Sequence, residues 1–197
     1  LGDVYKRQLQ PYEGEVWLGY DPNASESATA DDAALVAIAA PTKPGGKFRI
    51  LEKQRLKGLQ FPEQAAAIKA MAGKYNVTKI GIDISGAGRA VHQLVAKWFP
   101  AAEAITYSVQ TKSAMVIKAK DVITKGRLEF DAGWLDMMAA FMAIRPELTK
   151  YGVTYVASRA GGVGHADLAW ATMHALFFEP LDINEPASGG STLEIFS

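Results

Sequence analysis

Apolar positions along the 197-residue chain fall either in short β-branched runs or at helical spacing, and the two patterns interleave. Glu15-Val16-Trp17-Leu18-Gly19-Tyr20-Asp21 reads as a strand ending in an acid, stopped by Pro22-Asn23. A polar loop then leads to the apolar run Ala34 to Ala40, and Pro44-Gly45-Gly46 turns the chain back into Lys47 to Lys57. These three segments predict a β-hairpin meander. The third strand places Lys47, Arg49, Lys53, Arg55 and Lys57 on one face, broken by Leu51, with Phe48, Ile50 and Leu56 on the other. Such a basic face is either an outer strand keeping charge in solvent or a ridge that contacts phosphate.

Beyond the meander the period changes. Glu63 to Tyr75 carries Ala67, Ile68, Met71 and Ala72 at helical spacing. The run Thr78-Lys79-Ile80-Gly81-Ile82-Asp83-Ile84-Ser85-Gly86-Ala87-Gly88 then predicts a buried strand, one carboxylate at its end, and a glycine turn into a helix over Gly88 to Phe99. Ala104 to Val109 is a strand and Thr111 to Gly126 a basic helix; Leu128 to Phe130 is a short strand. A methionine-rich helix from Trp134 to Ile144 ends before Pro146, with Met137, Met138 and Met142 filling the core. Gly152 to Ala157 is the last strand, and His165 to Phe178 is apolar on nearly every side, the mark of a buried helix. A meander followed by strand-helix crossovers predicts an α/β domain with a mixed sheet, antiparallel and parallel, flanked by helices. The domain should span residues 15–179, with 1–14 a linker and 180–197 a mobile tail rich in Pro, Gly and Ser.

Composition narrows the chemistry. The chain has no cysteine, which excludes disulfides and thiolate metal sites and leaves carboxylates and three histidines as possible ligands. Lys plus Arg balance Asp plus Glu, so any contact with nucleic acid must come from local clusters. No apolar run is long enough to predict a membrane span, and no secretory signal is visible.

Three acids stand in positions that matter. Asp21 and Asp83 both end strands, and Asp167 opens the apolar helix. Asp83 alone is read equally well as a cap for the helix after it. If the two strands are neighbours and the last helix crosses them, the three carboxylates converge, and their repulsion is the ordinary setting for hard divalent cations. His165 is either a helix-start residue bonded to the glycine-rich loop before it or a group beside the ions, as outer ligand or proton carrier. His92 and His174 read as helix-flank residues without a chemical duty. Lys112, Lys118, Lys120, Lys125 and Arg127, with Lys53, Arg55 and the loop residue Arg159, are the candidate phosphate contacts.

Gly19-Tyr20-Asp21, Gly81-Ile82-Asp83-Ile84-Ser85-Gly86 and Gly164-His165-Ala166-Asp167-Leu168-Ala169-Trp170-Ala171, in this order with a basic helix before the last, resemble the C-terminal nuclease domain of large terminase subunits of tailed bacteriophages. The resemblance runs from Glu15 to Phe178. It implies a ribonuclease H-like fold and a two-metal endonuclease site, using Mg2+ or Mn2+ held by Asp21, Asp83 and Asp167, that cuts concatemeric double-stranded viral DNA. It further implies an ATPase domain, a small terminase subunit and a portal protein as partners, and the cytoplasm of the bacterial host as the place of action. No phosphate-binding loop of the G-x-x-x-x-G-K-[ST] type occurs, so the motor half is missing from this chain. A junction resolvase or transposase-type nuclease of the same superfold would show similar acids, and an actin-like nucleotide-binding module is an alternative of a different class.

Overall fold

The computed structural model describes residues 12–22, 32–157 and 166–180. Strands β1 (Glu15–Asp21), β2 (Ala33–Ala39) and β3 (Phe48–Leu56) form the expected antiparallel meander. Helix α1 (Phe61–Ala72) crosses to β4 (Asn76–Asp83), which lies parallel to β1, and α2 (Gly88–Ala96) crosses to β5 (Glu103–Ile105), parallel to β4. Helix α3 (Val109–Thr124) leads to the short β6 (Leu128–Glu129), which closes the other edge beside β3. The sheet order is β5-β4-β1-β2-β3-β6, a mixed sheet of the predicted kind. Helix α4 (Leu135–Met142), a separate ribbon of β7 (Ile144–Thr149) and β8 (Gly152–Ala157), and α5 (Asp167–Ala175) complete the order, and a 3-10 turn, Leu176–Phe178, follows α5.

Each face of the sheet has its own core. On one, Ile68 and Met71 of α1 and Val91 and Val95 of α2 cover Leu18, Leu35, Ile80 and Ile82. On the other, Met115 of α3, Met137 of α4 and Leu168 and Ala171 of α5 cover Val36, Ile38, Phe48 and Ile50. Each such aliphatic side chain contributes about 1.5–3 kcal/mol on burial, so α5, buried from Leu168 to Ala175, is held far more by packing than by helix propensity. Among the described residues no helix is long and apolar enough to cross a membrane.

Three departures from the sequence reading stand out in the sheet and the helix before the ribbon. The pairing of β2 with β3 slips by one residue between Ala37 and Ile38, so Glu52 faces Ala37 and Ile50 faces Ile38 with Leu51 passed over. A one-residue bulge inverts every side chain beyond it. Lys47 and Arg49 therefore share one face with Glu129, while Lys53 and Arg55 emerge on the opposite face beneath α4 and α5. The single basic face expected for Lys47 to Lys57 does not exist. Second, Pro146 lies within β7 instead of terminating a helix, since a two-stranded ribbon is all edge and tolerates a residue that cannot donate. Third, only Met137 of the three methionines fills the core, with Met138 and Met142 exposed. The linker and tail predicted for the two ends lie almost wholly outside the described residues.

Candidate active site

The site is built by a repeated three-residue pattern, glycine, aromatic or aliphatic residue, aspartate, at the ends of two parallel neighbours. Gly19 of β1 and Gly81 of β4 are partners in the ladder, and Tyr20 pairs with Ile82. Side chains two apart on a strand share a face, so Gly19 lies on the face of Asp21, and Gly81 on the face of Asp83. That face receives α5 at backbone contact. A Cβ on Gly19 would lie 1.8 Å from the carbonyl oxygen of Ala171 and 2.5 Å from the amide nitrogen of Ala175, and one on Gly81 would lie 2.4 Å from the carbonyl oxygen of His174. Asp167 precedes Ala171 by four residues, about 6 Å of helix. Asp21 follows Gly19 by two residues, about 6.6 Å of strand. The glycines thus set the helix down where its first residue comes out over the last residues of the two strands.

Electrostatics record the convergence. Burial, then the charge of Asp167, then that of Asp83 push the Asp21 carboxyl well above the usual carboxylate range, opposed by Lys112 and by a hydrogen bond with Tyr107. Burial also raises Asp83, offset by hydrogen bonds from Ser85 and by Lys112. Asp83 Oδ1 accepts from the Ser85 amide at 2.7 Å, inside the turn that Gly86 makes with φ of 86°; the residue capping α2 is Ala87, so Asp83 is not the helix cap. Asp167 faces Arg55 at 3.7 Å. The ladder explains that contact, because Asp21 pairs with Ala34 and Ala34 with Arg55, placing acid, small residue and guanidinium in one row.

Among the described residues the carboxylates are not drawn into a ready-made ion cage. Each leans on its own partner, Asp21 on Tyr107, Asp83 on Ser85 and Asp167 on Arg55. The set nevertheless suits a hard divalent cation: its donors are carboxylate oxygens, two of them buried, and the repulsion felt by Asp21 is what a bound ion would relieve.

Residues 18–179 match the terminase RNaseH-like domain family. The chain belongs to that family. It is 52% identical over 168 residues to the terminase ATPase subunit of Escherichia phage P2, covering 84% of this chain and 28% of that protein. To the probable terminase ATPase subunit of Haemophilus phage HP1 it is 39% identical over 165 residues, 82% of this chain and 26% of that one. The chain therefore spans little more than a quarter of these relatives. In fold it is similar to the large terminase nuclease of thermophilic phage G20c with bound magnesium (TM-score 0.64, 20% identity, 83% of this chain and 80% of that one). It is also similar to the HK97 bacteriophage large terminase (TM-score 0.61, 11% identity, 85% and 40%). The family is thereby the terminase RNaseH-like domain, and the fold is that of the large terminase nucleases, with the mixed sheet described above.

The terminase fold places the predicted cations very unevenly. Lys112 stands beside the acids, its Nζ 4.7 Å from the Tyr107 ring centre and 5.3 Å from that of Trp170. Lys53 pairs with Asp136 on the same face of the sheet as Arg55. Lys120 is exposed. Three others are not surface groups in the sense expected. Arg127 is 7% exposed and bonded to Glu179 and the Gly46 carbonyl. Lys118 is half-buried and donates to the Phe177 carbonyl at 2.6 Å, and burial lowers its pKa. Lys125 pairs with Asp121 one turn back along α3. These three cations are engaged within the fold, by the Phe177 carbonyl, Asp121 and Glu179, and so stand behind Lys112 and Lys120 as candidate phosphate contacts. His165 and Arg159 lie outside the described residues.

His174, expected on a helix flank, is fully buried beneath the site. Its Nδ1–H donates to the Tyr20 carbonyl at 3.0 Å, and its Nε2 lies 2.8 Å from the Tyr107 hydroxyl. Burial pushes its pKa down to about 3, so the ring is neutral. An imidazole in an otherwise apolar helix was the available signal, because such a ring must find partners when buried. Tyr107, in contact with Asp21 and His174, carried no sequence signal of its own.

Proposed function

We propose that this domain is a divalent-metal-dependent endonuclease that cuts double-stranded DNA, the nuclease part of a phage large terminase acting on concatemeric viral DNA during packaging. The observation that carries the reading is the meeting of Asp21, Asp83 and Asp167 at one corner of the sheet, with Asp21 in the field of both others. Two divalent ions, Mg2+ or Mn2+, held by these carboxylates would supply an activated water and neutralise charge on the phosphodiester. The chain's own residues set the stage for that chemistry. Asp21 and Asp83 are fixed by the ladder of adjacent strands, and Asp167 by the landing of α5 on Gly19 and Gly81. Lys112, Arg55 and Lys53, on the same side of the sheet, would attract the DNA phosphates and partly offset the negative site. Exposed Lys120 and, from the loop before α5, Arg159 are further candidate contacts. His165, two residues before Asp167, would serve as outer ligand or proton carrier.

The match to phage terminase ATPase subunits supports an ATPase domain, a small terminase subunit and a portal protein as partners in the whole assembly, and the bacterial cytoplasm as its place. Plasmid nicking tests the reading. Wild type with Mn2+ should convert supercoiled plasmid to nicked and linear forms, and Asp83→Asn, of nearly equal volume, should not. Cleavage by a well-folded Asp83→Asn protein at the wild-type rate would overturn the site.

A further inference from the structure

Arg55 stands where a cation bound to Asp167 would have to come. Its Nη1 lies 3.7 Å from Asp167 Oδ2, an ion pair longer than the roughly 2.7–2.9 Å of a charge-assisted hydrogen bond. The backbone beneath it is fixed. Arg55 pairs with Ala34 and Ala34 with Asp21, while the bulge that passes over Leu51 brings the side chain out on the face of α5. The tip has more room. Arg55 is the last residue but one of β3, and β6 pairs only with Phe48 and Arg49 at the opposite end of that strand, so among the described residues no strand flanks Arg55 on its outer side. Its side chain is 30% exposed, against 14% for that of Asp167. Asp136, the other carboxylate that feels its charge, is already paired with Lys53.

We infer that Arg55 is an exchangeable counter-ion: it pairs with Asp167 in the metal-free site, cedes that carboxylate to a divalent cation, and turns its guanidinium to a DNA phosphate. The inference rests on the metal-dependent nuclease reading above. A guanidinium does not lose its proton in a protein, so it relieves its repulsion of an incoming ion only by moving. The long contact and the open outer side allow that movement, and the forked donor geometry of arginine matches a phosphate as well as a carboxylate. The exchange couples the two ligands. A cation that frees Arg55 adds a phosphate contact, and DNA that engages Arg55 removes a competitor from Asp167, so each must raise the affinity for the other by the same factor.

The first measurement is Mn2+ affinity by calorimetry in the absence of DNA, on wild type, Arg55→Gln and Arg55→Lys. Arg55→Gln removes the competing charge and should bind Mn2+ about three- to fivefold more tightly than wild type, the worth of a favourable, partly exposed ion pair. Arg55→Lys keeps the charge and should gain less; equal tightening in both variants would trace the gain to lost packing and overturn the inference. Weaker binding by Arg55→Gln would make the arginine a brace for the ligand, and unchanged binding would make it a bystander; either result overturns the exchange while leaving the metal reading in place. Failure of wild type itself to bind Mn2+ overturns the metal reading and the exchange with it. Should Arg55→Gln not fold, Arg55→Met, which keeps the aliphatic stem, carries the same expectations. The second measurement is fluorescence anisotropy of a labelled DNA duplex with and without saturating Ca2+. Ca2+ should raise the DNA affinity of wild type more than that of Arg55→Gln, the two gains differing by about threefold or more for one ionic contact. Equal gains would mean that the cation frees no guanidinium for the phosphate, and that result overturns the inference.

Discussion

Gly19→Ala adds one methyl group and should damage both stability and cleavage. The new Cβ would lie 1.8 Å from the Ala171 carbonyl oxygen and 2.5 Å from the Ala175 nitrogen, where real Cβ contacts do not fall below 3.0 Å. Both obstructing atoms belong to helix backbone, so no side-chain rotation relieves the clash, and α5 must retreat by about 1.2 Å to reach that 3.0 Å limit. Overpacking of a core typically costs about 1–3 kcal/mol, and a backbone obstacle places this case at the upper end. For a domain of this size about 3 kcal/mol corresponds to roughly 6–12 °C in Tm. The retreat also carries Asp167 away from Asp21 and Asp83, and a displacement near 1 Å can lower a catalysed rate about 100-fold. Gly81→Ala, 2.4 Å from the His174 carbonyl oxygen, needs only about 0.6 Å of movement and should fall between. Gly73→Ala is the control: its Cβ finds its nearest neighbour at 3.5 Å and its φ is −73°, so it should be neutral or raise stability by about 0.4–1 kcal/mol. Thermal melts and Mn2+-dependent plasmid nicking on the three variants read the order directly. A Gly19→Ala protein that melts with Gly73→Ala, or cuts at the wild-type rate, would refute the claim that α5 rests on these glycines.

Other expectations follow from the same geometry. Mn2+ at about a hundredfold excess over its dissociation constant should stabilise wild type by roughly 2.7 kcal/mol, and a melting shift of equal size in Asp21→Asn would mean that the ion binds elsewhere. In a Ca2+ titration of DNA binding against salt, Lys112→Ala should flatten the slope of log K against log salt by about 0.9 for one lost phosphate contact. Lys118→Ala should leave that slope unchanged while lowering Tm, because it removes the donor to the Phe177 carbonyl; a flattened slope would return Lys118 to the DNA surface. His174, held neutral down to about pH 3 against 6.5 for the free side chain, takes up its proton in the unfolded chain first, so its contribution is complete above about pH 6.5 and is lost as pH falls toward 3. At pH 4.5 the loss should be about 2–3 kcal/mol relative to neutral pH. Denaturant melts of wild type and His174→Gln at both pH values measure it, and parallel pH profiles would refute it.

What could be read from the chain alone follows the range of the interactions involved. The meander, the crossovers and the acids at the ends of β1 and β4 were legible because alternation, helical period and turn residues are local signals. The β3 bulge was only half visible: Leu51 broke the basic face, but whether it is passed over is decided by the register of the partner strand, and that one residue decides which cations reach the site. The fates of Lys118 and Arg127 were equally hidden, since a positive charge on a helix face gives no notice that a carbonyl of Phe177 or the carboxylate of Glu179 will be packed beside it. The repeated Gly-x-Asp could be seen but only half understood. Its aspartates suggest ligands at once, whereas its glycines acquire meaning only when a helix some 90 residues downstream of the second one lands on them. The pattern is then a single device: glycine admits the helix backbone, the strand period carries the acid two residues further along the same face, and the helix returns its own first residue to that acid. Replacing any of the three acids should therefore leave the fold intact, while replacing either glycine should disturb fold and site together.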